Sequence, residues 1–197
     1  MALDNGCNIE ENNVNNTRCP QEVTNHNTFY YFSFASNMLA EKMRRLDPKA
    51  KRVGSGKLEN YQLCMSSENS RWKGPAATVV PKSSSFVYGA IWEVDYERMA
   101  DLDGHEFVLG HQYTPVSLNI ETSTGDKIMC RVYVQTRPPN ADVNLPISLT
   151  YKKVLLKGAH ETQLPNTYID LLRNLENNDI VLQDIEKEWK LNDVIVA

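Results

Sequence analysis

A chain of 197 residues with 41 % hydrophobic and 23 % charged side chains is long enough to bury a sizeable core and has the balance of one soluble globular domain. Its formal net charge of −4 disfavours nucleic acid and anionic membranes as partners, since both attract an excess of Lys and Arg. No apolar run approaches the ~20 residues that cross a bilayer. Met1 to Cys19 lacks the basic start and apolar stretch of a secretory signal, so a cytoplasmic protein without a membrane partner is expected.

Residues 1–27 are rich in Asn and Glu and nearly free of apolar periodicity. A disordered tail is expected there, followed by a single domain over residues 28–197. Cys7, Cys19, Cys64 and Cys130 show no metal-type spacing and are expected to be reduced. The aromatic run Tyr30-Tyr31-Phe32-Ser33-Phe34 suits a buried strand. It breaks at Ala35-Ser36-Asn37, small and polar residues that favour turns and helix caps. Apolar residues then recur at helical spacing at Met38, Leu39, Met43 and Leu46. A strand, a tight turn and a helix start leave backbone N–H groups unpaired, an arrangement that reads either as a plain capped connection with no ligand or as an anion site.

Further on, Lys57–Met65 reads as a strand, Ser66–Pro75 as a polar loop, and Thr78–Pro81 as a short edge strand ended by proline. Phe86–Val94 is the strongest strand pattern, and Gly89 within it suggests a bulge or a close backbone approach. Asp95 is placed to cap a short helix, Tyr96–Asp103, closed by Gly104 at a positive φ. Tyr113–Thr122 and Ile128–Gln135 bracket Ser123-Thr124-Gly125-Asp126, a hairpin signature. In the second arm Ile128, Cys130, Val132 and Val134 share one face, and Met129, Arg131 and Tyr133 the other. Ser148 is placed to cap a helix ending near Gly158. Pro165 opens another, and Ile180–Trp189 forms a last amphipathic piece. Strands early and helices late give an α+β fold, a small curved or closed mixed β-sheet or barrel flanked by helices.

The densest set of functional side chains is Asp103, His105, Glu106 and His111. These are residue types that bind zinc or iron, but their spacing fits no ligand pattern, so no metal is expected. Glu106 precedes Phe107-Val108-Leu109. A carboxylate dehydrated by apolar neighbours has a raised pKa and becomes a usable proton shuttle.

Several motifs in order resemble those of the γ-glutamylcyclotransferase family. Phe34-Ala35-Ser36-Asn37-Met38 is similar to its Tyr-Gly-Ser-Asn-Leu turn, and Leu102-Asp103-Gly104-His105-Glu106 with Tyr113 to its Leu-Asp-x-x-Glu segment. Cys130-Arg131-Val132-Tyr133, Tyr151-Lys152-Lys153, and the run from Gly158-Ala159 through Glu161 and Leu164-Pro165 to Tyr168 complete the resemblance, which spans Phe29 to Asn178.

The resemblance implies the branch acting on γ-glutamyl amino acids. The expected function is a cyclotransferase that releases 5-oxoproline and a free amino acid within glutathione metabolism, with no cofactor. It implies Glu106 as catalytic acid and base. Tyr31, Phe32, Ser33, Phe34, Ala35, Ser36, Asn37, Tyr113, Tyr133 and Tyr151 are implied to bind the γ-glutamyl substrate, and a homodimer is compatible with it. Phe34 and Ala35 depart from the family's tyrosine and glycine. They open an alternative, a regulatory protein that binds γ-glutamyl compounds or 5-oxoproline with little or no turnover.

Overall fold

Backbone pairing carries the chain well past the strands that local pattern marks. The computed structural model describes residues 27–69, 71–106, 110, 112–140 and 143–196. The tail expected over residues 1–27 therefore lies, but for Asn27, outside the described residues. Five strands close into a barrel in the order β1-β3-β2-β4-β5: β1 (Thr28–Ser33), β2 (Lys51–Asn69), β3 (Gly74–Asp95), β4 (Tyr113–Thr122) and β5 (Lys127–Gln135). Neighbours are antiparallel except at the closure, where β1 meets β5 in parallel at Tyr31↔Arg131. The fold is thus α+β, a closed mixed barrel flanked by helices.

The strand expectations need two corrections. Thr78–Pro81 and Phe86–Val94 belong to one strand, β3, and Ser66–Pro75 is mostly strand, with Ser67↔Ala76, Glu68↔Pro75 and Asn69↔Gly74 in register. Side-chain polarity marks a loop only where the backbone lacks a partner, and here β2 and β3 partner each other along their length. Pro81 does not end the strand because a bulge absorbs it. The register jumps from Glu59↔Phe86 to Tyr61↔Pro81, with Asn60 at φ 60° and Ser84 at φ 62°. Across the bulge the Ser84 N–H donates to Asn60 Oδ1 at 3.3 Å.

Inside the barrel Phe32, Ile91, Ile120, Cys130 and Val132 are buried. Glycines make room for them. A Cβ on Gly56 would stand 2.4 Å from Ile120, and one on Gly89 would stand 2.3 Å from the Ser33 carbonyl oxygen and 2.9 Å from the Phe32 ring. Gly89 is therefore the close approach of the two expected alternatives. Cys64 and Cys130 are free thiols, and burial pushes Cys130 up to about 12.

The helices are α1 (Ala40–Leu46), α2 (Met99–His105), α3 (Leu149–Glu161), α4 (Asn166–Arg173) and α5 (Gln183–Glu188), with 3₁₀ turns at Ser36–Met38 and Tyr96–Arg98. Ser148 caps α3 as expected, its Oγ accepting from the Tyr151 N–H at 3.2 Å. Asp95 makes no side-chain cap bond. The two glycines expected to end helices do not. Gly104 lies inside α2, where the Glu106 N–H still reaches the Leu102 carbonyl at 3.0 Å. Gly158 lies inside α3 and lets that helix press on residues 38–39.

Candidate active site

The aromatic strand β1 delivers the chain to a turn whose backbone is tightly closed. The Met38 N–H bonds the Ala35 carbonyl at 2.8 Å and the Leu39 N–H bonds the Ser36 carbonyl at 3.2 Å. Among the described residues no protein acceptor takes the N–H groups of Ala35 and Ser36. Ala35 sits at φ −133°, outside the left-handed region, so an alanine stands in this turn without the penalty that a positive φ would impose. The departure at Ala35 therefore gives no ground for a disabled turn. Phe34 is buried and packs its ring 6.4 Å from that of Phe32.

Ser36 and Asn37 do not cap a helix; their side chains make a polar network instead. Lys42, on the first turn of α1 and buried, donates to Ser36 Oγ at 2.8 Å and to Asn37 Oδ1. An ammonium only donates, so it fixes which end of the Asn37 amide faces it. The amide nitrogen is thereby aimed the other way, donating to the Tyr31 hydroxyl at 3.0 Å and to Glu106 Oε1 at 2.7 Å. Glu106 caps α2 just where that helix ends, at φ −83° and ψ 5°. Burial raises its pKa, while the Lys42 charge and hydrogen bonds from Asn37 and Tyr31 pull against that rise. Burial likewise lowers Lys42 to about 8, with the Glu106 charge opposing and the Arg71 charge adding to the fall. His105 drops to about 3 through burial and the Lys42 and Arg71 charges, and is neutral near pH 7.

Three tyrosines share the outer face of the barrel wall. The register Tyr113↔Gln135 and Pro115↔Tyr133 puts Tyr113 and Tyr133 on one face, and the parallel closure brings Tyr31 to it. The Tyr31 and Tyr133 rings meet edge-on at 5.7 Å. The Tyr133 hydroxyl donates to Asp103 and accepts from Arg131 Nε at 2.9 Å, while a single Arg131 nitrogen, Nη2, donates to both Asp103 oxygens at 2.7 and 2.9 Å. Asp103 is thus an anchor of α2 to β5. Tyr113 donates to the Ala77 carbonyl at 3.1 Å, and Tyr151 accepts from the Ala77 N–H at 3.2 Å. Burial holds all four hydroxyls above the usual tyrosine range, Tyr113 at about 12, so all are protonated donors at neutral pH.

One cavity of about 360 Å³ collects these groups. Tyr31, Phe32, Ser33, Phe34, Ala35, Ser36, Asn37, Glu106, Tyr113, Tyr133 and Tyr151, all expected from sequence, line it. His105 also lines it, Asp103 does not, and His111 lies outside the described residues, so the structure does not bring that foursome together as a ligand set. Sequence reasoning missed Lys42, Arg71 and Trp72, which also line the cavity. For Lys42 a signal was present. Met38, Leu39, Met43 and Leu46 define an apolar stripe, and position 42 falls on it, four residues beyond Met38. For Arg71 and Trp72 there was none, since both sit in a polar connection.

A closed mixed barrel with a buried carboxylate beside a turn that leaves two backbone N–H groups without a protein acceptor among the described residues defines the class. Residues 86–172 match the model of the AIG2-like family. The chain is 31 % identical to the gamma-glutamylcyclotransferase of Mus musculus over 156 residues, 77 % of this chain and 81 % of that one. It is 30 % identical to the Homo sapiens gamma-glutamylcyclotransferase over the same shares. A solved structure described as a gamma-glutamyl cyclotransferase superposes with a TM-score of 0.76 at 29 % identity, covering 83 % of this chain and 98 % of the other. The chain belongs to the γ-glutamylcyclotransferase family.

Proposed function

We propose that the protein is a cofactor-independent γ-glutamylcyclotransferase, of lyase or acyltransferase type, converting γ-glutamyl amino acids to 5-oxoproline and free amino acid. The observation that carries the reading is Glu106, buried in the cavity with Asn37 Nδ2 at 2.7 Å and a raised pKa. A carboxylate so placed is a proton shuttle suited to work near neutrality. It takes a proton from the α-ammonium of the γ-glutamyl group. The freed amine attacks its own γ-carbonyl carbon, closing a five-membered ring and leaving an oxyanion. Glu106 gives that proton to the leaving nitrogen as the amide C–N bond breaks, then takes the second proton from the ring nitrogen and passes it to the released amine, which restores the carboxylate. No water is consumed and no electron is transferred, so neither a metal nor an organic cofactor is needed.

The N–H groups of Ala35 and Ser36 are the donors for the oxyanion or the α-carboxylate. Tyr31, Phe32, Ser33, Phe34, Asn37, Tyr113, Tyr133 and Tyr151 wall the substrate and fold its chain back on itself, which supplies the orientation that an intramolecular attack requires. We place the enzyme in the cytoplasm, within glutathione metabolism, acting as a monomer or homodimer.

The test is formation of 5-oxoproline from γ-glutamyl-alanine. Glu106→Gln is expected to lower kcat at least ~10²-fold with the fold intact and 5-oxoproline binding retained. Near-wild-type turnover in that variant would remove Glu106 from the mechanism.

A further inference from the structure

The cavity is lined by two cations, Lys42 and Arg71, against one carboxylate, Glu106. A γ-glutamyl amino acid carries two carboxylates and one ammonium, the mirror of that set. Resting on the cyclotransferase reading, the ammonium is drawn to Glu106, and the γ-glutamyl group's own carboxylate to the turn N–H groups and Lys42. One carboxylate of the substrate and one cation of the cavity are then left over.

We infer that Arg71 is the subsite for the α-carboxylate of the leaving amino acid, so that the enzyme selects γ-glutamyl-α-amino acids over γ-glutamylamines. The side chain is set up for such a role. Its guanidinium lies 5.7 Å from the Trp72 ring centroid and 5.1 Å from that of Trp189. The turn beneath it is pinned, with the Arg71 N–H bonding Asn69 Oδ1 at 3.0 Å and the Trp72 N–H bonding the Asn69 carbonyl at 3.0 Å. Among the described side chains no carboxylate pairs with it. Burial and then the charge of another cation, Arg45, hold its pKa below the usual range, and Arg45 has its own carboxylate partners in Glu41 and Glu188. An arginine opposed by like charge and held over two indoles gains from a carboxylate that it can fork. Lys42 cannot serve this second carboxylate as well: Ser36 and Asn37 take two of its three donors, and the γ-glutamyl group's own carboxylate takes the third.

The experiment compares kcat/KM for γ-glutamyl-alanine and γ-glutamyl-ethylamide, which differ by the leaving-group carboxylate, in wild type, Arg71→Gln and Arg71→Lys. Wild type is expected to prefer the alanine compound by tenfold or more, as loss of one charge-assisted pair implies. The preference should collapse toward unity in Arg71→Gln, mostly through KM, and survive in part in Arg71→Lys. A preference equal in all three proteins would overturn the subsite and leave the cyclotransferase reading standing. If wild type turns over neither compound, the cyclotransferase reading fails, and calorimetric binding of the same two compounds decides the subsite. An alanine preference lost in Arg71→Gln would uphold it, and indifferent binding would end it.

Discussion

At the scale of single residues the site turns on Lys42, which does no chemistry itself. Its ammonium orients the Asn37 amide, and that amide holds Glu106. Its charge also lowers the Glu106 pKa against the rise that burial causes. Lys42→Met removes both effects. The carboxyl should then rise further, so the acid limb of the kcat/KM profile should move to higher pH, and kcat should fall at least about tenfold through misplacement. An acid limb that stays in place would detach Lys42 from Glu106. The same lysine has a signature in stability. Its folded value of about 8 lies below the ordinary 10.5, so between those pH values the unfolded chain binds more protons and wild type gains stability as pH rises. Urea unfolding at pH 7.5 and pH 10 should show wild type improving relative to Lys42→Met across that interval.

At the scale of elements the critical contact is α3 against the turn. Gly158 stands where a Cβ would meet the Met38 Cβ at 2.8 Å and the Leu39 nitrogen at 2.9 Å. Alanine is the better helix former by about 1 kcal/mol. The obstructing atoms belong to backbone and to a Cβ, which do not swing aside, so the clash decides the sign. Gly158→Ala should destabilise by about 1–3 kcal/mol and lower kcat/KM by shifting the N–H groups of residues 35–36. Denaturant melts and steady-state kinetics check it. A more stable protein of full activity would show that the helix backs away freely.

At the scale of the whole molecule the C-terminal segment braces the site from behind. Trp189 is fully buried, lies 5.7 Å from Trp72, and has its carbonyl tied to Lys157 Nζ at 2.7 Å. Glu186, on α5, accepts from Thr150 at 2.9 Å and from Lys153 at 2.8 Å, which docks the segment on α3. Trp72 in turn packs on Tyr151 at 4.6 Å, so the far end of the chain supports the cavity wall. Trp189→Ala should cost about 3–5 kcal/mol. It should also raise KM for γ-glutamyl-alanine more than it lowers kcat, because Trp72 and Arg71 lose their backing while Glu106 does not. A lower melting temperature with unchanged KM would separate the brace from the site.

Local pattern alone determined a good part of this. The aromatic strand, the small-residue turn, the hairpin about Gly125 and the Ser148 cap are all set by contacts within a few residues, so the sequence shows them directly. The two-face split of β5 is equally local, since alternation puts Cys130 and Val132 on one side and Arg131 and Tyr133 on the other. What only the tertiary structure decided depends on partners far away in the chain. Polar residues 66–69 became strand because β3 offers its backbone, and Gly158 serves not to end a helix but to let it lie close against Met38 and Leu39. Tyr31 reached Tyr133 only through the parallel closure of the barrel. Lys42 lies on the apolar stripe of its helix, but only the fold set it against Asn37 and Ser36, and Arg71 gained a cavity to face only when β2 and β3 folded its turn over Trp72. Burial and long-range pairing give such polar side chains their roles, and neither is encoded in the few residues on either side.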